Sequence, residues 1–139
     1  MTWNIWHHFG PWQERQAAIE HVIQAESPDV LFMQEVHTTE KQAENLAAKF
    51  GYQCVVTTSP WNMGNAILSR WPIVRSGQVA LPNAAGEPAH RRALWAVLDT
   101  PWGQWPVIGT HIDHRFDESH VRQLQVDAIS DLVLTLRTD

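Results

Sequence analysis

The sequence is short of cysteine, of positive charge and of long apolar runs, and each shortage excludes something. Cys54 is the single cysteine among 139 residues, so no internal disulfide can form, and a reducing compartment such as the cytoplasm is compatible with the chain. No run approaches the ~18 apolar residues that a membrane-spanning helix needs, and no basic segment leads into a signal-peptide core. Ten Lys and Arg stand against fifteen Asp and Glu, a formal charge of −5. A broad nucleic-acid groove carries excess positive charge to replace counterions, so this balance argues against a general polyanion grip. It leaves room for a local phosphate site, because Arg91, Arg92, Arg115 and Arg122 fall near the polar motifs described below. No internal repeat, low-complexity tract or linker interrupts the chain.

What is present suffices for one folded domain: 44% of the residues are hydrophobic and 18% charged. Of the eight tryptophans, Trp61, Trp102 and Trp105 sit in turns rich in Pro and Gly. Large aromatics there cap a core edge or stack on a ligand, and the core edge is the expected role.

Alternation in "MTWNIW" predicts a first strand, and Gly10-Pro11 opens a helix whose apolar face is Ile19, Val22 and Ile23, stopped at Ser27-Pro28. "DVLFMQEV" reads as a strand buried on both faces, since Val30 to Met33 are continuously apolar. Thr39 and Gln42 have capping-box spacing before a helix that ends at Gly51. Five strand-like runs follow, the last two joined by a turn at Pro101-Trp102-Gly103. A final helix, with Asp117 as its cap, carries Val121, Leu124, Ala128, Ile129 and Leu132, and Glu118 and Arg122 form a surface pair on it. Strand–helix–strand–helix followed by antiparallel-type strands gives an α/β fold: a mixed β-sheet with helices on one face. The doubly buried second strand then needs something else to cover its other face.

In such a sheet, sites form beyond the carboxyl ends of the strands. Asn4, Glu35 and His111 each stand at such an end, offering an amide, a carboxylate and an imidazole. That set suits Mg²⁺, which takes one or two protein carboxylates and keeps water and substrate oxygens as its other ligands. Taken singly, each of the three is better explained as a structural polar group, such as a solvated strand end or a turn former.

Four stretches change that balance. "MTWNIW", "LFMQEVH", "GNAILSRWPI" and "GTHIDHR", in this order, resemble the endonuclease/exonuclease/phosphatase superfamily, also called deoxyribonuclease I-like, over nearly the whole chain. "ESHVRQLQ" adds a weaker match, with Arg122 and Gln125 as an R-x-x-Q pair. The resemblance implies a Mg²⁺-dependent phosphodiesterase or phosphoesterase, with Mn²⁺ as a substitute ion. Glu35 would ligate the metal. Asn4 would serve both the metal shell and catalysis, and His111 would be the catalytic group at the scissile phosphate. Asn65 and Arg92 (or its neighbour Arg91) would contact substrate. At most one of His7 and His8 can face the site if the segment is extended, and His8 is taken here. The substrate would be a phosphodiester of unspecified class, nucleic acid included.

Two motifs of the superfamily, a "G-D-x-N" strand end and an "S-D-H", are lacking. They carry the water-activating Asp–His pair. The expectation is therefore that residues 1–139 are the N-terminal portion of a single domain, about half of a four-layer α/β/β/α sandwich. The absent second sheet would cover the second strand, and the chain alone would have little activity. It would self-associate through its open sheet face, or act as an inactive fragment or interaction module that needs a partner chain. A zinc cluster of the H-x-H-x-D-H type is a poorer fit to "THIDH", because Gly109 stands where the first histidine should be.

Overall fold

The computed structural model describes residues 1–58 and 61–138. β1 (Thr2–Asn4) pairs in parallel with β2 (Val30–His37), and α1 (Trp12–Glu26) is the crossover between them. α2 (Gln42–Phe50) leads to β3 (Gln53–Val56), and β4 (Met63–Ser69) enters antiparallel between β2 and β3. This four-stranded mixed sheet has the order β1-β2-β4-β3. β5 (Ile73–Ala80), β6 (Arg92–Thr100) and β7 (Gly103–Thr110) form a second, antiparallel sheet, and α3 (Ser119–Thr138) follows.

The continuous apolar run of β2 serves two cores. Leu31 and Met33, both at 0% exposure, join Ile19 and Ile23 of α1 and Leu46 of α2 under the helices. Val30 and Phe32 point the other way and pack with Ile67 of β4 against Leu94, Ala96 and Leu98 of β6. The sheet expected from elsewhere is thus supplied by the chain's own β5, β6 and β7. Period-2 alternation reports that a strand is half buried but not which sheet it joins, so the runs after residue 72 could not be assigned to a separate layer. The two sheets approach closely where Gly109 of β7 crosses β2: a Cβ there would stand 2.9 Å from Cδ1 of Phe32.

α1 and α2 cover the outer face of the mixed sheet. α3 lies on the outer face of the second sheet, where Leu136 shares a small cavity with Val97 and Pro106. The layers run α/β/β/α. The expected face of α3 holds at Val121 but not at Leu124, which is 47% exposed; Gln125 takes the inward position instead.

Three local expectations also change. Thr39 and Gln42 form no capping box: Lys41 occupies the cap in a left-handed conformation, while the Gln42 amide oxygen accepts the His37 N–H at 3.0 Å. Asp117 is not the cap of α3, since the Glu118 carbonyl takes the first helical N–H, from Arg122 at 3.2 Å. Glu118 pairs with His120 at 3.4 Å, and Arg122 donates to the Arg115 carbonyl. Among the described residues no helix is long and apolar enough to cross a membrane.

Candidate active site

Glu35 owes its position to a defect in the ladder. Gln34 pairs with Asn65 and Val36 with Gly64, which leaves Glu35 as the extra residue of a β-bulge. Its φ of 59° lies in the left-handed region, which costs a non-glycine residue roughly 1–3 kcal/mol. The bulge re-aims the side chain toward the strand ends. Across the ladder, Gly64 is required by space: a Cβ would lie 2.6 Å from Thr57 Oγ1 and 2.8 Å from Thr38 Cγ2.

Asn4 ends the neighbouring strand. Its Oδ1 accepts the Trp6 N–H at 2.9 Å, and its Nδ2 donates to Glu35 Oε1 at 2.9 Å. The turn after Asn4 is held by Arg15, whose guanidinium donates to the carbonyls of Ile5, Trp6, His7 and Phe9. His111 follows β7 directly, with Nδ1 3.8 Å from Glu35 Oε1. Burial lowers its pKa first, Arg91 adds to that, and Glu35 opposes it, so the site disfavours the charged imidazolium.

These three residues stand at one end of both sheets, beside an open cavity of about 370 Å³ lined by Glu35, His111, Asn65, Arg91, Arg92 and Trp61 among others. Asn65 is buried, and its Nδ2 donates to the Arg92 carbonyl at 3.2 Å, a bond that ties the two sheets together. Arg91 lines the cavity, as Arg92 does, and its charge acts on Glu35 and His111. It donates to His114 Nδ1 at 2.9 Å, and its Nε is buried with no hydrogen-bond partner among the described residues. Trp61, expected at a core edge, is 66% exposed on the cavity rim. Only its place in a turn hinted at a ligand-side position.

His8 is not brought to this cavity. Trp6 and His7 have φ of 59° and 43°, so the segment is not extended and the alternation argument fails. His7 and His8 both lie against His37, with ring centroids 4.6 and 3.9 Å from it. Asp113, His114 and Arg115 are loop residues. Asp113 is held by Arg115 at 2.8 Å, which in turn reaches Glu87 at 3.1 Å. "THIDH" forms no metal cluster among the described residues. Gln125, fully buried, fastens this loop: its Oε1 accepts the Asp113 N–H at 2.8 Å and its Nε2 donates to the Pro82 carbonyl at 2.9 Å.

The donor set fits a hard divalent cation. Glu35 offers a partly exposed carboxylate whose Oε2 has no hydrogen bond among the described residues, while Asn4 fixes the other oxygen. A single carboxylate with water and phosphate oxygens is how Mg²⁺ is commonly held.

Two packed sheets between outer helices, with amide, carboxylate and imidazole gathered at one end, define a deoxyribonuclease I-like sandwich. The chain belongs to the endonuclease/exonuclease/phosphatase family, whose model matches residues 1–137. It is similar to the human Nocturnin catalytic domain with bound sulfate, at 26% identity and a TM-score of 0.83, covering 97% of this chain and 58% of that one. TDP2 from Caenorhabditis elegans shares the fold at 18% identity and a TM-score of 0.80, covering 97% of this chain and 54% of that one. So does the mannosyl-6-phosphatase Bt3783 of Bacteroides thetaiotaomicron, at 18% identity and a TM-score of 0.80, covering 97% and 58%. The chain therefore spans somewhat over half the length of these structures. A search of curated proteins gives no match.

Proposed function

We propose that this chain carries the cation- and phosphate-binding side of a phosphoester hydrolase site, and that residues 1–139 are the N-terminal portion of one domain. The observation that carries the reading is the 2.9 Å bond from Asn4 to Glu35 with His111 3.8 Å away at the same cavity wall. Glu35 and Asn4 would hold Mg²⁺ or Mn²⁺, which when bound polarises a phosphoryl oxygen and stabilises the charge that develops on it. His111 offers a ring N–H to a phosphate oxygen. Arg91, rather than Arg92, meets the negative charge of the substrate, since its unmet Nε and its place in the cavity wall suit a phosphate. Asn65 acts indirectly, by fixing the strand that carries Arg92. The substrate is a phosphodiester or phosphomonoester; nucleic acid is one class within that range.

One observation favours a second reading. Among the described residues that line the cavity, Glu35 is the single carboxylate, and Asp113 is committed to Arg115. A second carboxylate to activate water would be supplied by other residues of the protein or by a partner chain, since the remaining ionisable groups lining the cavity are His90, Arg91, Arg92, His111 and His114. Without them the chain would be an inactive interaction module.

Mn²⁺ titration followed by water-proton relaxation tests the cation site. We expect saturable binding that Mg²⁺ displaces, weakened at least tenfold by Glu35→Ala and several-fold by Asn4→Ala, and unchanged by His111→Ala. Binding indifferent to Glu35→Ala would overturn the assignment. A Mg²⁺-dependent phosphodiesterase rate from the 139 residues alone, abolished by His111→Ala, would remove the second reading.

A further inference from the structure

We infer a second metal site, built from His8, His37 and Glu40 and specific for late first-row divalent ions such as Zn²⁺. One ligand atom from each of these residues lies within 4.8 Å of the other two. His8 Nε2 already stands 3.5 Å from Glu40 Oε2. Ligand atoms sharing a tetrahedral ion at about 2.1 Å are roughly 3.4 Å apart, so the group needs an inward movement of about an ångström. Two imidazoles and one carboxylate are a zinc-type donor set that leaves a coordination position open. They contrast with the amide and carboxylate at Glu35, which suit Mg²⁺ or Mn²⁺. The two places thus differ in the ion they select.

Local structure explains why the three converge. The left-handed backbone at Trp6 and His7 folds the segment after β1 back onto the end of β2. The ring of His8 is then sandwiched between Trp12, at 4.1 Å, and His37, at 3.9 Å. Glu40 enters from the turn before α2, where its backbone N–H donates to His37 Nδ1 at 3.1 Å. That bond leaves His37 Nε2 as the ring nitrogen without a partner among the described residues.

Binding has two structural consequences. The His8 and His37 planes are 8° apart, so one ring must tilt before both lone pairs can meet one ion. His8 is the ring to move, because it sits on a loop while His37 ends a strand. Coordination through His37 Nε2 also transfers the ring proton to Nδ1, which breaks the Glu40 amide bond. The ion would join the loop that follows Asn4 to the strand that carries Glu35, bracing both from outside the cavity. This site does not rest on the hydrolase reading.

The test is competition of the 139-residue protein with a zinc-chelating dye, in excess Mg²⁺ so that the Glu35 site is occupied. We expect one equivalent of Zn²⁺ to bind, with affinity at least tenfold weaker in His8→Ala and in Glu40→Gln and unchanged in Glu35→Gln. Zn²⁺ should shift the backbone amide signal of Glu40 and raise the melting temperature of the wild type but not of His8→Ala. Both test substitutions lie outside the hydrophobic cores, so circular dichroism can confirm that each variant folds. Absence of saturable binding, wild-type affinity in His8→Ala, or an equal loss in Glu35→Gln would each overturn the site.

Discussion

Asp113 stands two residues beyond His111 and is kept from acting with it, because Arg115 binds both of its oxygens. Those hydrogen bonds hold its carboxyl well below the usual range, and the residue is only 2% exposed. A depressed folded-state pKa contributes stability that is present above the unfolded value, about 3.9, and is lost as pH falls below it. Asp113→Asn should therefore melt below the wild type at pH 7, and the gap should narrow on acidification below about pH 4. A gap that does not change with pH would show that the carboxylate charge contributes nothing. At this scale the sequence was informative where a residue closes a strand: Asn4, Glu35 and His111 were legible as strand-end polar groups and meet as expected. Arg91 was not separable from Arg92, since adjacent residues at a strand entry differ only in the side they face. His8 was misplaced for a related reason. Two consecutive left-handed residues reverse the chain before it, and nothing in "NIWHH" announces them.

The bulge in β2 shows how one irregular element positions a site. Gly64 opposite it leaves space for Thr38 and Thr57, and the Thr57 hydroxyl accepts the Asn65 N–H at 2.9 Å. Gly64→Ala should destabilise the fold by about 1–3 kcal/mol through overpacking, measured by denaturant unfolding. It should also weaken Mn²⁺ binding, because Glu35 is placed by the same ladder. Unaltered stability would mean that Thr57 rotates away without cost. Strands and helices were legible as types along most of the chain; their ends were less so. Gln42 had the spacing of a capping residue, but its side chain is taken by the His37 N–H and by Gln16. The start of α3 was displaced because its first N–H bond goes to Glu118, which sequence spacing alone does not select over Asp117.

For the molecule as a whole, the contact between the two sheets is the interaction on which the layers depend. Ile67, at 0% exposure, packs there with Leu94, Ala96 and Leu98. Ile67→Ala should cost about 2–5 kcal/mol, read as a shifted denaturant midpoint with an unchanged slope. A loss below 1 kcal/mol would indicate that the sheets close over the cavity. The same contact removes the open β2 face as a reason for self-association. Exposed apolar side chains lie elsewhere: on α3 at Leu124, Val126, Val133 and Leu134, around Trp102 and Trp105, and in loops at Trp6, Phe9, Trp61 and Phe116, among others.

The sequence by itself determined the family, the order of elements and the three polar residues at the strand ends, because motif identity and hydrophobic period are local properties of the chain. Tertiary structure decided the rest. It assigned β5, β6 and β7 to a sheet of their own and gave β2 two cores. It turned Glu35 outward on a bulge, gave Asp113 to Arg115, and moved His8 to His37 and Glu40. Each of these depends on which side of a strand or turn a residue faces once distant segments pack, and that choice is made by contacts across the fold rather than by neighbours along the chain.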